Sequence, residues 1–397
     1  MATETGRHIP RITAAPREDE RVTPLELFFD LVFVLAITQC TQLMSDHPTW
    51  EGLAQGLLVL ALLWWAWVGY AWLTSVVDPE DDAVRIAIFT AMAALLIVSL
   101  TVREAFGDLA ITFAVAYGAV RAGQIALFVI ASQEDPALRQ SVTGLAISTA
   151  IGTALLIGGA LIGGTGLAAL WVLALVLDMG GPYLFGSEGW KLVPGHFAER
   201  HGLIIIIALG ESIVAIGAGA PPSLTAGIAA AAVLGIALAA ALWWIYFDVV
   251  ALVAARRLVA APVGREQNEM ARDSYSYLHF LMVAGIVLVA LGLKKTLGHV
   301  DDPLETVPAV ALLGGLALYL LGHVSFRFRH VHTINRQRLL LALLLLALVP
   351  LAREVSPLVI LGLVDVLLCA MIAYETINYG EGRNRLRHGL PPQPPPA

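Results

Sequence analysis

Glu26 and Asp30 stand four residues apart in Pro24-Leu25-Glu26-Leu27-Phe28-Phe29-Asp30-Leu31-Val32-Phe33-Val34, an otherwise apolar run. That spacing puts both carboxylates on one helix face. In a membrane this face must turn toward protein, because an ionised Asp or Glu in hydrocarbon costs at least about 2.5 kcal/mol unless it meets a partner, water or a proton. Desolvation also moves carboxyl titration toward neutrality, the range in which a coupled carrier loads and releases protons. Glu211, in Leu209-Gly210-Glu211-Ser212, is a second acid of this kind. Asp30 and Glu211 are therefore the expected proton or cation sites, with Arg121 as counter-charge. Asp178 and Asp365 are further intramembrane acids. Together these groups predict a polar cavity that opens to the cytoplasm and ends near Glu211 and Arg121. Glu26 and Glu375, close to helix ends, fit a structural role better.

The elements that carry these groups are membrane helices. Apolar residues make up 58% of the chain and charged residues 14%, against roughly 25% charged in soluble domains. Apolar segments of about 17 to 25 residues predict twelve spans, near 24–44, 53–76, 84–102, 109–131, 142–162, 167–185, 202–219, 226–253, 276–293, 307–326, 338–352 and 357–378. The first is expected to serve as signal anchor, since residues 1–22 are polar and mixed in charge. With the N-terminus inside, the outer loops hold only Arg103, Lys294, Lys295 and Arg353, Arg121 lies in the fourth span, and all other Lys and Arg fall inside. That bias predicts a multi-pass protein of the cytoplasmic membrane with both termini in the cytoplasm.

Several features recur half a chain apart. Asp30-Leu31-Val32-Phe33 pairs with Glu211-Ser212-Ile213-Val214, Trp64-Trp65-Ala66-Trp67 with Trp243-Trp244-Ile245-Tyr246, Arg139-Gln140 with Arg336-Gln337, and Asp178 with Asp365. The expected architecture is an all-α transmembrane bundle of two parallel six-helix repeats. Its expected parts are a cytoplasmic segment (1–22), a first repeat (23–185), a cytoplasmic linker (186–201), a second repeat (202–379) and a Pro-rich cytoplasmic tail (380–397). Trp64 and Trp243 lie well inside their spans rather than at the interfaces where Trp gathers. Each buried indole N–H then needs an acceptor, such as Asp30 or Glu211, and the rings could stack a cation or an organic substrate.

His196-Phe197-Ala198-Glu199-Arg200-His201 lacks the spacing of a helical zinc motif. It reads as an interfacial helix start, and His279 as a hydrogen-bonded core histidine. Cys40 and Cys369 have no metal or disulfide spacing and read as packing residues. No cofactor and no nucleic-acid partner is expected. The lipid bilayer is the expected surrounding, with a proton, cation or small solute as ligand; the oligomeric state is not set by the sequence.

Taken together, Pro24 to Phe33, His196-x-x-Glu199-Arg200-His201-Gly202 leading into Leu209-Gly210-Glu211-Ser212, and Trp243-Trp244-x-Tyr246-Phe247 resemble the bacterial low temperature requirement A family of membrane proteins. The resemblance runs from about Arg21 to Tyr379 and implies a polytopic membrane protein. The family name records a growth phenotype and implies no chemistry. The leading expectation is a secondary transporter or ion permeation protein that uses intramembrane carboxylates. The alternatives are a membrane-embedded enzyme acting on a lipid-soluble substrate, for which no catalytic motif is found, and a non-transporting scaffold or sensor.

Overall fold

The computed structural model describes residues 21–186 and 188–387; most of the expected N-terminal segment and the run Pro391 to Pro396 of the expected tail lie outside the described residues. Among the described residues there is no strand, and eleven helices are long and apolar enough to cross a membrane. The first half holds α1 (Pro24–Asp46), α2 (Trp50–Val76), α3 (Asp82–Thr101), α4 (Ala110–Ala131), α5 (Pro136–Ile162) and α6 (Gly164–Leu184). The second begins with α7 (Pro194–Gly219), eight residues before the expected start of the seventh span, and continues with α8 (Ala226–Phe247) and a short α9 (Val250–Ala260). Next come α10 (Arg265–Ala271), a π-helical stretch (Arg272–Leu278), α11 (His279–Gly298), α12 (Thr306–Val331), α13 (Arg336–Ala347), α14 (Val349–Ala352) and α15 (Pro357–Arg387), which breaks at Tyr379.

Local chemistry sets many of these boundaries. Thr23 caps α1 in a reciprocal box with Glu26, and Thr49, Asp81, Asp135, Thr225 and Asn335 accept backbone N–H groups at the starts of α2, α3, α5, α8 and α13. Pro opens α1, α5 and α7, where its missing N–H costs nothing. Gly163, at φ 71°, makes the turn between α5 and α6.

The expected eleventh span, 338–352, is not one long helix. Pro350 has no amide hydrogen and crowds the preceding turn, and the helix divides into α13 and α14. Arg338 at the start of α13 bonds Glu375, which lies 18 residues along α15, so α13 and α14 must cover the roughly 27 Å that α15 covers in return.

The second-half core is tightest between α11 and α12. A Cβ on Gly285 would stand 2.7 Å from the Gly315 carbonyl, so only glycine permits this approach. Helix α2, α12 and the run from α10 through α11 are the most enclosed, whereas α5 and α6 present most of their surface outward. Helices α1 and α7 lie side by side between the two halves, α2 bordering both.

Candidate functional site

Parallel, in-register packing of α1 on α7 brings opposite charges together inside the bundle. Asp30, fully buried, accepts through Oδ1 from Arg200 Nη2 at 2.7 Å and from Trp67 Nε1 at 2.8 Å. Arg200 also donates to Thr74 Oγ1 at 2.8 Å and lies 3.5 Å from Glu26. Its guanidinium carbon stands 5.5 Å from the centre of the Trp67 ring, within cation–π range. His196 Nε2 meets both oxygens of Glu26 at 2.9 and 3.1 Å. Every member of this network is at least 98% buried, which makes Arg200 and His196 its compensating partners rather than interfacial residues. One atom stands apart: Asp30 Oδ2 has no hydrogen-bond partner among the described residues.

Glu211 occupies a different depth. It accepts from Thr38 on α1, eight residues beyond Asp30 and hence about 12 Å along the helix. The expected equivalence of Asp30 and Glu211 is therefore not met. Among the described residues no cation approaches Glu211 within salt-bridge distance. Of the glycines around it, only Gly219 meets another backbone, that of Lys294; Gly210 and Gly217 face open space.

Arg121 is not the counter-charge of Asp30 or Glu211. It donates to Asp178 Oδ2 at 2.9 Å, to Thr149 Oγ1 at 2.9 Å and to Gln124 Oε1 at 2.6 Å. These groups lie on α4, α5 and α6, which pack consecutively, whereas Asp30 faces α2 and α7. Glu375 has its own cation in Arg338, with contacts of 3.0 and 2.8 Å. Asp365 is buried, and neither of its carboxylate oxygens has a partner among the described residues.

The tryptophans divide as well. Trp64 is buried and donates to the Ser276 carbonyl at 2.8 Å, within the π-helical stretch, while Trp72 donates to the Ser276 hydroxyl at 2.9 Å. Trp243 is 45% exposed and stacks on Phe247. Helix α8 carries no Asp, Glu, Lys, Arg or His. Cys40 is buried as expected, but Cys369 is exposed. His279 is the expected core histidine: it meets Tyr246 Oη at 2.8 Å and directs Nδ1 at the Ser274 carbonyl at 3.1 Å.

Two clefts lie beside this core, and Glu211 lines neither. One, of about 60 Å³, is lined by Trp65, Trp72, Arg121, Trp190 and Arg272. The other, of about 370 Å³, lies where α8, α12 and α15 meet α9 and α13, and is lined by His323, His330, Arg338 and Glu375 among others. The expected single cavity ending at Glu211 and Arg121 is not formed by these clefts: Arg121 borders the smaller one, which residues of both halves line, and the larger one lies within the second half.

Residues 21–373 match the family described as bacterial low temperature requirement A protein. The chain belongs to this family. An uncharacterized protein of Rhizobium meliloti (strain 1021) is 32% identical over 308 residues, covering 75% of each chain. No solved structure matches. This low temperature requirement A protein is a multi-pass membrane protein.

Arg200 and His196 carried a legible signal that the sequence reading passed over. Pro24-x-Glu26-x-x-x-Asp30 and Pro194-x-His196-x-x-x-Arg200 share one spacing with complementary charge. Each Pro opens its helix, and the paired residues meet at a constant offset of 170.

Proposed function

We propose that this protein is a secondary transporter or ion permeation protein of the cytoplasmic membrane, in which Asp30 and Glu211 bind a proton or cation. One observation carries the reading: Asp30 lies fully buried between the two halves and keeps Oδ2 without a partner among the described residues, beside an arginine fork. A carboxylate so held can exchange a proton while Arg200 retains Glu26 as counter-charge.

The helix order supports the two-repeat arrangement that goes with it. The first, third and fourth crossings pack in succession in each half: α1 on α3 and α3 on α4, then α7 on α11 and α11 on α12. In parallel-repeat carriers the site lies between the repeats, which is where α1 meets α7. The Lys and Arg distribution supports cytoplasmic termini.

The test is flux in proteoliposomes with an internal pH dye and an imposed voltage. Wild type should pass protons or a monovalent cation. Asp30→Asn should reach the membrane at normal abundance, because the amide keeps the Trp67 acceptor, and should lose most of that flux. Absence of flux above empty vesicles, or unchanged flux in Asp30→Asn/Glu211→Gln, would defeat the reading.

A further inference from the structure

The 370 Å³ cleft of the second half combines three properties. Its charges are balanced, because Arg327 and Arg338 are matched by Asp248 and Glu375, and Arg338 with Glu375 forms a two-point ion pair that Asn335 also joins at 2.9 Å. A ligand with net charge would therefore remain uncompensated where the surroundings are apolar. Apolar wall comes from Trp244, Val253, Phe326 and Ile372.

The third property is unused hydrogen-bonding capacity on α12, in the lining of the cleft. His323 is 1% exposed, stands edge-on to Tyr319 with ring centres 4.5 Å apart, and has no partner for either ring nitrogen among the described residues. His330 directs Nδ1 at the Phe326 carbonyl, which can only accept, so Nε2 is a bare acceptor without a partner. In their neutral form the two imidazoles hold one donor and two acceptors, on ring nitrogens that the surrounding side chains enclose. We infer that this cleft binds an uncharged organic solute of one or two rings, seated against the apolar wall and directing a hydroxyl or N–H group at His323. A space of this volume lies within the range of small-molecule sites. Only the further step of calling the solute transported cargo rests on the carrier reading; the binding site stands without it.

Equilibrium dialysis on the full chain in lipid nanodiscs tests it with three probes of one shape: naphthol, anionic naphthoate and cationic naphthylmethylamine. Naphthol should bind saturably, one per chain, and the charged probes at least about tenfold more weakly. Ile372→Trp, which fills the cleft, should abolish naphthol binding. His323→Phe keeps the ring but removes both nitrogens and should weaken binding about tenfold. If His323→Phe is not monodisperse, Ile372→Trp and the charge preference of wild type decide. Equal affinity for the three probes, binding no greater than in protein-free nanodiscs, or a tightly held phospholipid that Ile372→Trp displaces would overturn the inference. Lost flux with intact naphthol binding would sink the carrier reading alone.

Discussion

Two clefts, one between the halves and one within the second half, are filled in opposite ways. In the first, Arg121 reaches from α4 to Asp178 on α6 and Thr149 on α5, and Gln124 braces the guanidinium, leaving about 60 Å³. In the second, α12 supplies His323 without a hydrogen-bond partner among the described residues, and about 370 Å³ stays open. A buried full charge must collect partners from every neighbouring helix, and collecting them draws the helices together. In the second cleft Arg338 and Glu375 satisfy one another and His323 collects no hydrogen-bond partner among the described residues, so the surrounding helices leave room for something else.

This contrast predicts unequal responses to the removal of one polar side chain. Arg121→Met leaves Asp178 buried with only Thr149 as partner, a change worth about 3 to 5 kcal/mol. Membrane abundance should fall sharply, and the double variant Arg121→Met/Asp178→Leu should recover much of it. His323→Met removes two unbonded polar atoms and should cost under about 1.5 kcal/mol. Thermal unfolding of the purified proteins measures both. Similar losses for the two single variants would mean that the clefts do not differ in the way described.

How much of this was legible varies with the physics involved. The membrane helices were, because apolar runs and terminal Pro and Thr residues are local signals. The break at Pro350 was too, in principle, since proline acts on its own turn. Which charge meets which was not. The sequence offers Arg121 as counter-charge for Asp30, but helix rotation and neighbour order assign Arg121 to Asp178 and Arg200 to Asp30. Those are tertiary choices that hydropathy does not encode, and only the shared Pro-x-acid and Pro-x-base spacing on α1 and α7 announced the second pair. Trp243 failed for the same reason: a helix that is apolar all round has no preferred inward face.

Added volume gives a smaller, sharper version of the comparison. A Cβ at Gly69 would stand 2.1 Å from Gln124 Nε2, so Gly69→Ala must push Gln124 off Arg121. Overpacking of this kind costs about 1 to 3 kcal/mol. Ile372→Phe adds more atoms but adds them to the open cleft, and should change the unfolding temperature little. A larger penalty for Ile372→Phe than for Gly69→Ala would show that the second cleft is already packed.

The smallest expected difference lies at the matching helix starts. Asp135 caps α5, accepting from the backbone of Ala137 and Leu138 at 3.1 Å each, and meets Lys191 at 3.4 Å. Asn335 caps α13 by accepting from the Arg338 backbone at 3.2 Å. Only the first cap titrates. The Leu138 amide is the main cause that holds the Asp135 carboxyl below its ordinary range, with Lys191 adding to it. A depressed carboxyl stabilises the fold above its unfolded titration range and loses that contribution as pH falls through the folded one. Acid should therefore loosen the start of α5 before that of α13, read as earlier amide exchange near Leu138 than near Arg338. Asn and Asp are nearly equal as caps, so Asp135→Asn should leave stability at neutral pH within a few tenths of a kcal/mol and remove the acid sensitivity at α5. Asp135→Ala, which lacks the acceptor, should cost about 0.5 to 2 kcal/mol at neutral pH, and that cost should shrink as acid removes the wild-type contribution. Equal acid sensitivity at the two helix starts in the wild type would remove this last difference between the halves.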